Sequence, residues 1–238
     1  MRKLLLLAFL GMAPMAHAAT ITFTTESYPP FSYLDGKEIK GAVVDQVKAI
    51  MSATGTDYTM ELMPWARAYK QALTAPMTCV FATGHEPDRD KLFKWVEPLL
   101  MDRGLLVKHT GTAVSAKTMD EAKKYTIGTW REDYSEKLLE QREFPKIDVA
   151  SDFDATLRKL LSDRIDLMPI SESNLEKLKQ DGQPVEGVMT FAEHSVGIAC
   201  QKDFPDDLLG KMQNALNKLI SDGTQKSIFL QYGLHVGG

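Results

Sequence analysis

Five short segments of the 238-residue chain gather side chains able to hold a small charged molecule. In Thr83-Gly84-His85-Glu86-Pro87-Asp88-Arg89, the guanidinium of Arg89 offers a planar fork that fits a carboxylate, and Gly84 lets backbone approach a ligand closely. Arg89 could instead pair with Glu86 or Asp90 on the surface, an arrangement worth little. In Glu26-Ser27-Tyr28-Pro29-Pro30-Phe31-Ser32-Tyr33, rings surround a double proline. Its fixed backbone angles leave little entropy to lose when the ring faces are presented to a guest. Phe31 could equally plug the edge of a sheet.

Pro64-Trp65-Ala66-Arg67-Ala68-Tyr69 follows the same logic. Proline suits a helix's opening turn and would hold Trp65 and Arg67 at a strand end, although a Trp there can also be pure core. Trp130-Arg131-Glu132-Asp133-Tyr134 brings rings and an acid, and Asp133 on local grounds reads first as a helix N-cap. Ser171-Glu172-Ser173 adds hydroxyls and a carboxylate. Arg89 and Arg67 could attract an anionic portion of a guest; Glu26, Asp133 or Glu172 could hold a cationic one. His85 and Glu172 are the groups available for general acid chemistry.

Composition removes several other classes. With 28 basic and 32 acidic residues the chain has no general attraction to nucleic acid or anionic lipid. No HExxH, GxSxG, P-loop or dinucleotide fingerprint occurs, and neither cysteine has the neighbours a zinc site needs. No cofactor is expected.

The elements that must position these segments alternate. Strand-like runs at 21–25, 58–63, 78–82 and 104–108 enclose helical patterns after Gly41 and over 65–73. A second round places strands at 125–130, 147–150, 165–170 and 188–191, with helices over 134–141, 152–161 and 173–179. A strongly amphipathic helix carrying Leu208, Leu209, Met212, Leu216 and Leu219 follows. This order predicts an α/β chain of two lobes, each a mostly parallel sheet flanked by helices. Ligands of such sheets bind beyond the carboxyl ends of the strands, where the five segments fall.

The first residues read as an address. Arg2 and Lys3, an apolar run over 4–12 and the Ala16-His17-Ala18 exit describe a cleaved secretory signal over 1–18. Its removal leaves 26 basic against 32 acidic residues, a net charge of −6. No later stretch approaches the roughly 20 apolar residues of a membrane span. Export permits a bridge between Cys79 and Cys200, 121 positions apart. Because Cys packs well as a small hydrophobe, the sequence reading favours two buried thiols.

Tyr28-Pro29-Pro30-Phe31, Gly41 with Asp45, Glu86-Pro87-Asp88-Arg89, Glu97-Pro98-Leu99, Arg164-Ile165-Asp166 and Gly197-Ile198-Ala199 occur in a telling order. It resembles that of bacterial extracellular solute-binding proteins of the amino-acid-binding type, relatives of the glutamine- and histidine-binding proteins, over essentially the whole mature chain. The resemblance implies a two-lobed periplasmic-binding-protein (type II) fold joined by two hinge strands. Lobe 1 would be 19–107 plus 196–238, and lobe 2 would be 108–195. It implies a periplasmic, monomeric protein that closes on a small solute and hands it to an ABC-type permease or signals through a membrane receptor. Arg89 resembles the arginine that grips a ligand carboxylate, and Tyr28 and Phe31 its aromatic wall. Three positions depart from the pattern. Gly84 stands where a hydroxyl residue is common, Ser171 beside Glu172 where an acid usually holds an amino group, and Glu132-Asp133-Tyr134 where Gly-Thr is usual. Some relatives resemble cyclohexadienyl dehydratases, which makes a periplasmic enzyme on the same scaffold the alternative reading.

Overall fold

The computed structural model describes residues 20–234. The signal-peptide reading over 1–18 therefore lies outside the described residues.

The chain begins with β1 (Ile21–Thr25), a small hairpin of β2 (Tyr33–Asp35) and β3 (Glu38–Lys40), then α1 (Ala42–Thr54) and β4 (Tyr58–Leu62). Next come α2 (Trp65–Thr74), β5 (Thr78–Gly84), a 3₁₀ turn at Pro87–Arg89 and the long β6 (Phe93–His109). The second round runs α3 (Met119–Ala122), β7 (Ile127–Trp130), α4 (Tyr134–Gln141), β8 (Ile147–Ala150), α5 (Phe153–Leu161), β9 (Met168–Ser171) and α6 (Glu172–Gln180). A second long strand, β10 (Val185–Gln201), leads to α7 (Asp206–Ser221) and α8 (Thr224–Gln231).

Six strands form one sheet in the order β4-β1-β5-β10-β6-β9. β1 pairs in parallel with β4 and β5, as the alternating pattern predicts, and β7 pairs in parallel with β8. The 17-residue strands β6 and β10 run antiparallel to each other and carry the chain between the two lobes. The sequence reading finds only 104–108 of the first, and of the second 188–191 and the strand-like context of 196–200. Charged Glu97, Asp102, Arg103 and Glu193 together with Pro98 interrupt the apolar pattern, because strands crossing between lobes are solvated along part of their length. Their register shifts between Val196 and Ile198. At that irregularity Gly197 leaves no room for a side chain: a Cβ would sit 3.0 Å from the Val96 carbonyl oxygen.

Apolar faces bury against the sheets in two main groups. Ile21, Phe23, Val44, Ile50, Phe81 and Leu216 pack β1, β5, α1 and α7 together. Leu106, Ile127, Leu139, Leu167 and Phe191 do the same around β7 and α4. A third group crosses from one lobe to the other and includes Trp65, Tyr69, Phe93, Trp130, Phe153 and Leu175. The C-terminal segment folds back on the first lobe, where Tyr232 donates its hydroxyl to Asp45 at 2.6 Å and accepts from the Gly41 amide at 3.2 Å.

The cysteines are bridged, which corrects the thiol reading. Antiparallel pairing of β5 with β10 sets Cys79 directly opposite Cys200, with Cα atoms 3.9 Å apart and sulfurs bonded. Strand register brings together residues that 121 positions of sequence separate.

Candidate functional site

The carboxyl ends of β1, β4, β5 and β7 open on one cavity between the lobes. Each strand end contributes from the segment that follows it. Glu26, Tyr28 and Phe31 follow β1, and Trp65 opens α2 after β4. Gly84 and Arg89 come from β5 and its 3₁₀ turn, while Trp130, Asp133 and Tyr134 join β7 to α4.

Arg89 is 5 % exposed despite its charge. Its Nη1 donates to the Gly84 carbonyl at 2.9 Å and its Nη2 to the Glu132 carbonyl, also at 2.9 Å. The guanidinium carbon lies 5.0 Å from the Tyr69 ring centroid and 6.0 Å from that of Trp65. Two of its five N–H groups are thus committed to backbone. The surface pairing considered for Arg89 is replaced by another: Asp90 meets His85 Nε2 at 2.5 Å.

Glu132 supplies its carbonyl from a left-handed backbone conformation, φ 64°, uncommon for a residue with a side chain. The turn it makes also seats Asp133, whose Oδ1 accepts from the Ser135 amide at 2.9 Å and from the Ser135 hydroxyl. Asp133 is therefore both the N-cap of α4 and a wall of the cavity. Burial raises its carboxyl above the usual range, against the lowering effect of those bonds and of the Arg89 charge. Glu26 accepts from Trp130 Nε1 at 3.3 Å; burial first, and then the neighbouring Asp133 charge, push it well above the carboxylate range.

Tyr28 is the centre of the aromatic wall, 5.0 Å from Phe153 edge-on, 6.0 Å from Phe31 and 6.1 Å from Trp130. Its hydroxyl accepts from the Ser171 amide at 2.8 Å. Phe31 joins the first-lobe core as well as lining the cavity, so both readings of that ring hold.

Four residues named from sequence lie outside the cavity lining. Arg67 is exposed on α2, one residue past the turn that buries Trp65. Glu172 turns outward and pairs with Arg103 on the surface. His85 stacks on Trp95, with centroids 4.1 Å apart, and bonds Glu97 at 2.8 Å and Asp90. Ser171 is buried behind the wall, where its hydroxyl donates to Asp102 Oδ1 at 2.6 Å.

The sequence reading missed the contribution of the long strands. Asp102 of β6 and His194 of β10 are register partners and both line the cavity, together with Val196, Pro169 and Ile170. Burial, foremost, holds Asp102 at about 6, with the Ser171 and Arg103 bonds opposing. Burial and the Arg89 charge hold His194 at about 4, so its ring is neutral near pH 7. The imidazole lies over Gly84, where an added Cβ would meet Nε2 at 3.0 Å. An acid and a histidine 92 positions apart give no local signal; only the strand pairing unites them. Among the described residues no group of three or more His, Cys, Asp or Glu could hold a metal ion, and no helix is long and apolar enough to cross a membrane.

Residues 21–235 match the family described as bacterial extracellular solute-binding proteins, family 3. The chain belongs to that family. The fold of this solute-binding protein is shared with many solved structures. An ancestral arginine-binding protein bound to glutamine is 24% identical, with 90% of this chain and 97% of that chain covered and a TM-score of 0.79. The arginine-, lysine-, histidine-binding protein ArtJ from Geobacillus stearothermophilus is 19% identical over 90% of this chain and 95% of that one, with a TM-score of 0.81. The ancestral amino acid-binding protein AncCDT-1, a precursor of cyclohexadienyl dehydratase, is also 19% identical, over 90% and 95%, with a TM-score of 0.78. No curated protein matches the sequence. At these identities the likenesses establish the two-lobed fold, and the chemistry of the guest rests on this chain's own cavity.

Proposed function

We propose that this solute-binding protein closes on a small, polar, carboxylate-bearing solute resembling an amino acid. One observation carries the reading: the buried Arg89 reaches from Gly84 of one lobe to Glu132 of the other and lines a cavity walled by rings. A carboxylate meeting that fork would form charge-assisted bonds. The carboxyls of Glu26 and Asp133 stand ready for the ammonium end, and Tyr28, Phe31, Trp65 and Trp130 would cover the apolar portion.

Lobe 1 on this reading is 19–107 plus 196–238 and lobe 2 is 108–195, with β6 and β10 as the flexing strands. The mature protein acts in the periplasm as a monomer after loss of residues 1–18. It binds without catalysing and passes its solute to an ABC-type permease, or reports it to a membrane receptor. The names of the solved relatives, which bind arginine, lysine, histidine or glutamine, support an amino-acid-like guest.

Calorimetry of the mature chain against amino acids, polyamines and small carboxylates tests this. Binding of an amino-acid-like solute that Arg89→Ala abolishes and the exposed Arg67→Ala leaves intact is the expected result. Equal affinity in Arg89→Ala would remove the guanidinium from the site. Turnover of prephenate or arogenate would replace binding by catalysis.

A further inference from the structure

The cavity holds more negative charge than a zwitterionic guest requires. Arg89 is balanced within the wall by Asp133, whose carboxyl feels its charge. Glu26 is buried beside Asp133, and burial holds its carboxyl well above the usual range. Asp102 has no such compensation. Its sequence neighbour Arg103 points away to Glu172, and its register partner His194 is neutral near pH 7. Its Oδ1 takes the Ser171 hydroxyl, and Oδ2 receives no side-chain donor among the described residues. A carboxylate taken from water without a cation is costly, and a cationic guest would relieve that cost.

Two further features point the same way. His194, 7 % exposed, lines the cavity beside Asp102 with no hydrogen-bond partner on its buried Nδ1. A neighbouring pocket that shares Arg89 and Asp133 with the cavity is lined by Asp88, Glu132, Glu136 and Glu140, with Lys137 among them. Such a cluster of acids would raise the local concentration of cations beside the cavity.

We propose that Asp102 is the specificity-determining residue of the cavity and selects an amino-acid-like solute of net positive charge, with Ser171 as its positioning residue. This rests on the binding reading above and assigns the charge of its guest. A zwitterion satisfies Arg89 and Asp133; the additional ammonium or guanidinium of the solute meets Asp102. The groups facing Asp102 are Tyr28 from the first lobe, Tyr134 on α4, His194 on β10, Ser171 on β9 and Glu172 on α6. Both tyrosines are held neutral by burial and Glu172 is engaged with Arg103. Proton exchange at Asp102 therefore accompanies binding: a cation drives it to the ionised form and releases a proton near pH 6.

The experiment is calorimetry of the mature protein with L-lysine and L-arginine against their neutral counterparts L-norleucine and L-citrulline. Wild type should prefer the charged member of each pair by about tenfold or more, a typical effect of one buried charge-assisted bond. Asp102→Asn should lose that preference while keeping its affinity for the neutral members. Ser171→Ala should weaken it partly. The wild-type preference should also shrink as pH falls below about 6, and the proton release seen in buffers of different ionisation enthalpy should vanish in Asp102→Asn. Should Asp102→Asn not fold, the Ser171→Ala titration and the wild-type pH series decide alone. Equal affinity for charged and neutral members in wild type, or an unchanged preference in Asp102→Asn, overturns the inference and leaves the binding reading standing. Failure of any amino-acid-like solute to bind wild type overturns that reading itself.

Discussion

Trp65 donates its indole N–H across the cleft to the backbone carbonyl of Glu132 at 2.7 Å. The same oxygen receives Arg89 at 2.9 Å, so one carbonyl of the second lobe gathers two donors of the first. Asn174 makes the reciprocal reach from α6, with Nδ2 donating to the Pro29 carbonyl at 2.5 Å. These bonds tie the two lobes together. Trp65→Phe keeps an aromatic ring, though a smaller one, and deletes the donor. It should release about 1 kcal/mol of cross-cleft bonding and expand the ligand-free particle in small-angle scattering. An unchanged radius of gyration would show that the bond does not hold the lobes together.

The bridge between Cys79 and Cys200 fastens β10 to β5 at the first-lobe end of that long strand. Closing a loop across 121 positions restricts the unfolded chain. Its loss should cost about 2–4 kcal/mol, read as a lower denaturation midpoint for Cys79→Ala/Cys200→Ala or after reduction. Identical midpoints with and without reductant would exclude a bridge in solution.

Buried His194 gives the stability an acid-sensitive component. Its folded value of about 4 lies below the 6.5 of a free imidazole. The unfolded state therefore binds the proton first, and stability falls as pH drops from 6.5 towards 4. Asp102 acts in the opposite sense: its folded value of about 6 exceeds 3.8, so its contribution improves as pH falls through the same range. His194→Gln removes the first effect only. The variant should gain about 2 kcal/mol relative to wild type on going from neutral pH to pH about 5. Parallel melting-temperature profiles for the two proteins would contradict this.

Gly104 marks a tight approach. A Cβ there would lie 2.6 Å from the Tyr134 hydroxyl oxygen, within the cavity wall. Gly104→Ala should push the phenol aside, lower stability by about 1–3 kcal/mol and weaken solute binding. Gly210→Ala, on α7 with open space around it, provides the comparison and should leave binding unchanged. Equal effects at the two positions would mean that Tyr134 does not shape the cavity.

Much of the architecture is legible in the chain itself. Helices over Tyr134–Gln141 and strands such as Ile147–Ala150 follow from local periodicity, because burying an apolar face sets a repeat that neighbouring residues must obey. The segments after β1, β4, β5 and β7 could be named as site-forming for a similar reason: proline, glycine and rings clustered at strand ends are local signals. Direction is harder to read. Nothing in Pro64-Trp65-Ala66-Arg67 says that Trp65 turns inward at 3 % exposure while Arg67 faces solvent. Glu172 and Ser171 are adjacent, yet α6 starts between them and sends one to the surface and the other behind Asp102.

What the tertiary structure alone decided is whatever depends on the two crossing strands. Asp102 faces His194, and Cys79 meets Cys200, through backbone pairings that span long loops. Pairing of that kind is fixed by the register of a whole sheet, an outcome of many distant contacts. Local patterning chose the elements and set out most of the cavity's rings and its one arginine. The assembled sheet chose which acids share the space with them.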